Sequence, residues 1–167
     1  MTKSFFLSLF FLSLLIPSFS SVEAGGFYGE RRQAVNTFFE SAAEIFANGS
    51  ESAQNNLQAL LSDDFKRYIK PSSLNQPAID WETWRSDMVR FSQTLFDTFE
   101  IDIERMTWGK NRVILEASSS ADLIGGGTYG QEYVFILEFN SEGKIFSFTE
   151  YVDSLYSACF FGLIDCN

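Results

Sequence analysis

Histidine is absent from this 167-residue chain. That removes the Ser-His-Asp triad, the Cys-His dyad and every histidine metal site from consideration. Any acid-base chemistry falls to Asp, Glu, Tyr or Lys, or to a cofactor. Basic residues are scarce as well, 12 against 22 acidic ones, for a net charge of −10. A basic nucleic-acid footprint is therefore missing, and an anionic membrane surface would repel the chain. No metal or nucleotide cofactor is implied. Gly125-Gly126-Gly127 is a turn rather than a phosphate loop, because neither a helix nor a Lys-Ser/Thr pair follows it. No internal repeat, linker or low-complexity stretch follows the first two dozen residues.

Those first residues have the order of a secretory leader. Lys3 precedes an uncharged Phe/Leu/Ile/Ser run over 5–16, Pro17 breaks it, and small residues lead to Val22 and Ala24 at the −3 and −1 positions of a cleavage site. The competing reading is a membrane anchor, for which the run is short. Cleavage after residue 24 leaves a secreted, extracellular single domain over 25–167, with no membrane attachment. In that compartment Cys159 and Cys166, the two cysteines present, are expected to form a short C-terminal bridge, against buried thiols or an intermolecular bond. Asn48-Gly49-Ser50 reads either as a glycosylation acceptor or as an unmodified helix-end turn with Gly49 at C′.

The most strongly patterned stretch is 128–153. Two alternating runs flank Asn140-Ser141-Glu142-Gly143, a composition that tolerates positive φ, and together they predict a long antiparallel hairpin. In its first run Tyr129, Gln131, Tyr133, Phe135, Leu137 and Phe139 share a face. In its second, strict alternation puts Ile145, Ser147, Thr149, Tyr151 and Asp153 on one face, and Phe146, Phe148, Glu150 and Val152 on the other. Both runs exceed an ordinary strand, and long strands bend to leave a concave side.

Upstream, 25–29 reads as a flexible lead-in and 30–47 as a helix with Ala34, Phe38, Ala42, Ile45 and Phe46 on one face. Ser50 or Ser52 caps a second helix carrying Ala53, Leu57, Leu60 and Leu61. A short mixed segment at 65–69, a strand candidate, and a proline-marked loop at 71–77 follow. Asp80 caps a third helix to about residue 98, striped by Trp81, Trp84, Met88, Phe91 and Leu95. The stripe is either core or, at its two tryptophans, the rim of a pocket. Two further strands, 99–104 and 113–122, precede the hairpin. Helices followed by a run of strands define an α+β domain with three N-terminal helices packed on one face of a curved antiparallel sheet.

This order resembles the nuclear transport factor 2-like superfamily, and its SnoaL-like branch in particular. The residues carrying the resemblance are Asp63-Asp64-Phe65, Tyr129 with Gln131-Glu132-Tyr133, and Gly143-Lys144-Ile145 followed by Glu150-Tyr151-Val152-Asp153-Ser154. It covers 30–155. The resemblance implies a cone-shaped pocket closed by helices and a tendency to homodimerise through the outer sheet face. It also implies relatives that include polyketide cyclases, ketosteroid isomerases, dehydratases, epoxide hydrolases and non-catalytic binders. On the cyclase pattern Asp153 is the position matching the pocket acid/base, with Tyr133, Tyr129 or Tyr68 as donor to an enolate oxygen. Tyr68, Trp81, Trp84, Met88, Tyr129 and Tyr151 are the expected pocket lining. For Asp153 the alternative is a strand-end carboxylate bonded to backbone or to Arg31, Arg32 or Arg85. The chain departs from the cyclases in lacking the histidine that often assists them. Three readings stand: a cofactor-free isomerase, cyclase or dehydratase acting on a small apolar molecule, a non-catalytic ligand- or protein-binding module, and a domain with a solid core.

Overall fold

The computed structural model describes residues 21–165. The expected apolar leader and Cys166 lie outside them, the leader except for its last four residues. The chain runs α1 (Ser21–Asn48), α2 (Glu51–Leu60), β1 (Leu61–Lys70), a 3-10 turn (Ser72–Leu74), α3 (Trp81–Thr94), β2 (Glu100–Trp108), β3 (Arg112–Asp122), β4 (Thr128–Phe139), β5 (Ile145–Val152) and α4 (Ser154–Phe160). The helix starts follow capping chemistry. Ser50 Oγ accepts from Ala53 N, and Asp80 accepts from Thr83 N. Gly49, at φ +71°, ends α1 in the left-handed conformation that glycine adopts freely. α1 also runs back through the glycines expected to be a flexible lead-in. Each glycine costs a helix about 1 kcal/mol relative to alanine, which an already nucleated helix tolerates.

The five strands form one curled, open sheet in the order β1-β5-β4-β3-β2. The strands β2 to β5 pair antiparallel in sequence order, as the sequence predicts, but β1 pairs with β5 in parallel, so the sheet is mixed. The turn between β4 and β5 is held by Asn140 Oδ1, which accepts from Glu142 N and Lys144 N, with Gly143 at φ +79°. The inner face of the sheet carries Val113, Leu115, Leu137, Phe139 and Ile145, all buried. Against it pack Phe38 and Phe39 of α1 and Trp84 of α3. Phe39 stacks on Phe135 at 5.0 Å, and Phe38 meets Phe148 edge-on at 5.0 Å.

Two irregularities bend the antiparallel part of the sheet. Between β2 and β3 the register slips after Ile103, leaving Glu104 without a partner. Between β4 and β5, Glu138 pairs with Ser147 while Phe139 pairs with Ile145, so Phe146 is an extra residue. Because side chains alternate, one inserted residue moves every later side chain to the opposite face. Ile145 points inward, and beyond the bulge the inward residues are Phe148, Glu150 and Val152. Thr149 and Tyr151 turn outward, and Tyr151 is 45 % exposed.

Candidate functional site

The curl encloses a cavity of about 490 Å³, within the usual range for small-molecule sites. Its walls are mostly aromatic. Phe38, Phe39 and Phe46 come from α1, Trp84 and Phe91 from α3, Phe135 from β4 and Phe148 from β5. The segment after β1 supplies Leu74, Pro77 and Ile79 at the mouth, and the C-terminal tail supplies Phe161 and Leu163.

Two polar groupings stand on this apolar wall. The first is an ion pair across the parallel β1–β5 junction. Arg67 donates from Nε to Glu150 Oε1 and from its terminal nitrogen to Oε2 at 3.0 Å, a bidentate fork. Both side chains are nearly buried, 14 % and 11 % exposed. Arg67 is further fixed by its backbone, which exchanges hydrogen bonds with Ile79 at 2.9 and 3.1 Å. Its guanidinium lies 5.5 Å from the centre of the Trp84 ring. Each Glu150 oxygen keeps a lone pair after the fork is made.

The second grouping is a hydroxyl chain. Ser119 Oγ donates to Tyr133 OH at 3.2 Å, Tyr133 and Tyr129 hydroxyls are 2.8 Å apart, and Tyr129 OH donates to Gln131 Oε1 at 3.1 Å. Ser157 Oγ, from α4, donates to the same oxygen at 3.0 Å. Since Tyr129 gives its proton to Gln131, the bond between the tyrosines runs from Tyr133 to Tyr129. Burial pushes both phenols above their ordinary value, Tyr129 furthest. Both therefore stay protonated across the physiological range. The negative charge of Glu150 also raises both, so the two groupings sense one another.

Of the two sequence readings of Asp153, the structure shows the strand-end carboxylate bonded to backbone and not the pocket residue. That residue lies past the end of β5, on the solvent side. It is exposed, and its carboxylate accepts from Leu155 N and Tyr156 N at 3.0 Å each, capping α4. The Phe146 bulge is the reason, since it exchanges the two faces of β5 and makes Glu150 the inward carboxylate. Tyr151 leaves the lining for the same cause. Tyr68, partner of Thr149 in the parallel pairing, is likewise not on the cavity wall. Met88 is fully buried in the helix-sheet core, and Trp81 packs edge-on against Trp84 at 6.1 Å behind the wall. Trp84, Tyr129 and Tyr133 do stand on the wall.

Sequence reasoning did not single out Arg67, Glu150, Ser119, Gln131 or Ser157 as site residues. For Glu150 a signal existed: a lone carboxylate on a strand face otherwise made of Phe146, Phe148 and Val152. Ser157 depends on α4, which the sequence reading left as tail. Asn48 is the last residue of α1, exposed, with its Oδ1 accepting from Ser50 N at 2.9 Å. That bond belongs to the helix-end turn. Cys159 lies half-buried in α4, and its expected partner Cys166 is outside the described residues. Among the described residues no cluster of ligating side chains could hold a metal, and no helix is long and apolar enough to cross a membrane.

No protein-family model and no curated protein matches the sequence. Solved structures do match the fold. The BvnE pinacolase from Penicillium brevicompactum superposes with a TM-score of 0.69 at 16 % identity, over 81 % of this chain and 94 % of that one. A putative SnoaL-like polyketide cyclase from Jannaschia sp. CCS1 gives 0.63 at 13 % identity, over 77 % and 89 %. An NTF2-like protein of unknown function from Exiguobacterium sp. 255-15 gives 0.60 at 14 %, over 72 % and 98 %. At these identities the likeness speaks for architecture alone. With its helices closing a curled, open sheet, this chain has the nuclear transport factor 2-like fold.

Proposed function

We propose that this protein is a cofactor-free acid/base enzyme that moves a proton next to a carbonyl of a small, largely apolar molecule held in the cavity. The observation that carries the reading is Glu150. It is a carboxylate on an aromatic wall, held in one orientation by Arg67 and accompanied by neutral hydroxyls. Such a carboxylate can accept a proton from carbon and return it elsewhere on the same substrate. Tyr133, kept protonated by burial, can turn its O–H from Tyr129 toward an oxygen as negative charge develops there. Exclusion of water by the aromatic wall strengthens both interactions. A pinacolase and a polyketide cyclase sharing the fold are compatible with this chemistry.

The test is deuterium uptake into decalone in heavy water, followed by mass. Wild-type protein is expected to exchange the hydrogens beside the carbonyl, and a folded E150Q variant is expected to exchange at the uncatalysed rate. Wild-type exchange by folded E150Q would refute the assignment.

A second reading, a non-catalytic binding module of the same fold, is favoured by one observation: both Glu150 oxygens are engaged by Arg67. Saturable binding of decalone without exchange would select it. Secretion, a Cys159–Cys166 bridge, glycosylation at Asn48 and a homodimer through the outer sheet face complete the proposal. They rest on the leader pattern, the compartment it implies, the exposure of Asn48, and the exposed Val134 and Tyr151 on the convex side.

A further inference from the structure

Five of the residues lining the cavity are exposed, and they mark its mouth. Gln76 and Pro77 follow β1, Arg90 belongs to α3, and Phe161 and Leu163 lie past α4. The two large apolar side chains among the five both come from the C-terminal tail. Phe161 is 46 % exposed and Leu163 is 52 % exposed. A single exposed apolar side chain on a protein surface is ordinary and needs no explanation. These two differ in bordering an apolar, aromatic cavity, where a ligand can cover them. On the α3 side of the mouth, Arg90 is held by Asp87 of its own helix at 2.8 Å and lies 4.6 Å from the centre of the Phe91 ring.

The tail joins the rest of the chain through α4, and α4 is anchored on the sheet. Asp153 caps it, and Ser157 Oγ donates to Gln131 Oε1 at 3.0 Å. Tyr156 OH accepts from Gly130 N at 3.3 Å, and the Phe160 ring lies 4.7 Å from that of Tyr129. Beyond Phe160 the support becomes local. The backbone N–H groups of Phe161, Gly162 and Leu163 donate back to α4, to Ser157 O, Cys159 O and Ala158 O. Gly162 turns the chain at φ +66°, a conformation glycine adopts without strain. The Phe161 ring meets Phe91 of α3 at 6.2 Å. A short segment that turns on a glycine, starts from an anchored helix and carries apolar side chains on a cavity lip has the parts of a closing element. Resting on the proposed function, we infer that residues 161–165 are a strap that closes over the bound substrate, with Phe161 and Leu163 completing the apolar wall at the mouth. The substrate is the occupant that covers the exposed faces of these two side chains. Entry of an apolar molecule needs the mouth open, and proton transfer sheltered from water needs it shut. The strap therefore acts on retention of the substrate, and its loss is read in release rather than in folding.

The experiment compares wild type, L163S and F161S, with L155S as the control. Leu155 stands on α4, is 66 % exposed and is not on the cavity wall. The probe is perhydrophenanthrenone, a tricyclic ketone with more hydrocarbon to reach the mouth than decalone has. Binding is followed by calorimetry, release by stopped-flow tryptophan fluorescence, and folding by thermal circular dichroism. Leaving half of a leucine side chain uncovered corresponds to about a five-fold loss of affinity. L163S and F161S are each expected to bind the ketone about five-fold more weakly through faster release, and L163S to melt as wild type does. L155S is expected to bind as wild type. In wild type, the ketone is expected to shift the methyl NMR signals of Leu163 and leave those of Leu155 in place. Wild-type affinity in both tail variants, an equal loss in L155S, or an unmoved Leu163 signal in ketone-saturated wild type would overturn the strap while leaving the pocket reading intact. Failure of wild type to bind the ketone would overturn the pocket reading and the strap with it.

Discussion

Replacing Arg67 by methionine strands the Glu150 carboxylate on an apolar wall. Removing one partner of a buried ion pair costs about 3–5 kcal/mol, because the remaining charge is neither solvated nor paired. Here the side chains are 14 % and 11 % exposed and face a cavity rather than solid packing. The lower end, about 3 kcal/mol, is therefore expected for R67M. Removing both partners, as in R67M/E150L, takes the charge away and should cost no more than about 1 kcal/mol. Urea denaturation followed by circular dichroism reads these values. At a slope of about 2 kcal/mol per M, R67M moves the midpoint down by about 1.5 M and the double variant by about 0.5 M. Acidification should reduce the R67M deficit, since a protonated carboxyl has no charge to bury. A double variant as unstable as R67M, or R67M unfolding at the wild-type midpoint, would refute the claim that the pair is desolvated and mutually dependent.

Other consequences follow from the same packing. Phe148 touches Phe38, Phe135 and Trp84 at ring separations of 5.0–5.4 Å, so F148A should lower stability by about 3 kcal/mol in the same denaturation assay. The phenols of Tyr129 and Tyr133 are raised above 10.0 by burial. Their contribution is fully present below that value and is lost as pH rises past it. Two of the six tyrosines should thus stay protonated until alkaline unfolding, visible as a late, cooperative rise in tyrosinate absorbance. Asp80, at the N-cap of α3, is lowered below 3.8 chiefly by the Thr83 backbone N–H. It stabilises the fold above that value and ceases to as pH falls through its lowered one, so D80N should flatten the acid limb of a stability-pH curve.

Much of the architecture was legible because it rests on local rules. The Asp80 and Ser50 caps, the Gly49 stop and the alternation of β3 and β4 each fix an element by themselves. What escaped is set by pairing at a distance. β1 reads as a short mixed segment because its register and parallel direction come from β5, 75 or more residues later. The Phe146 bulge carries no turn residue or composition mark, yet it decides which carboxylate enters the cavity. The resemblance puts the acid/base role on Asp153, whereas the one-residue slip turns the Glu150 side chain, not that of Asp153, into the cavity. Gln131 was placed on the correct face but unremarked, because its role as acceptor for Tyr129 and Ser157 is a property of the assembled network, not of the strand.

The most direct measurement is deuterium exchange into decalone by wild type, E150Q and D153N side by side. The account predicts that D153N exchanges at the wild-type rate, since Asp153 only caps α4, and that folded E150Q does not exchange above background. Loss of exchange in D153N with its retention in E150Q would contradict it.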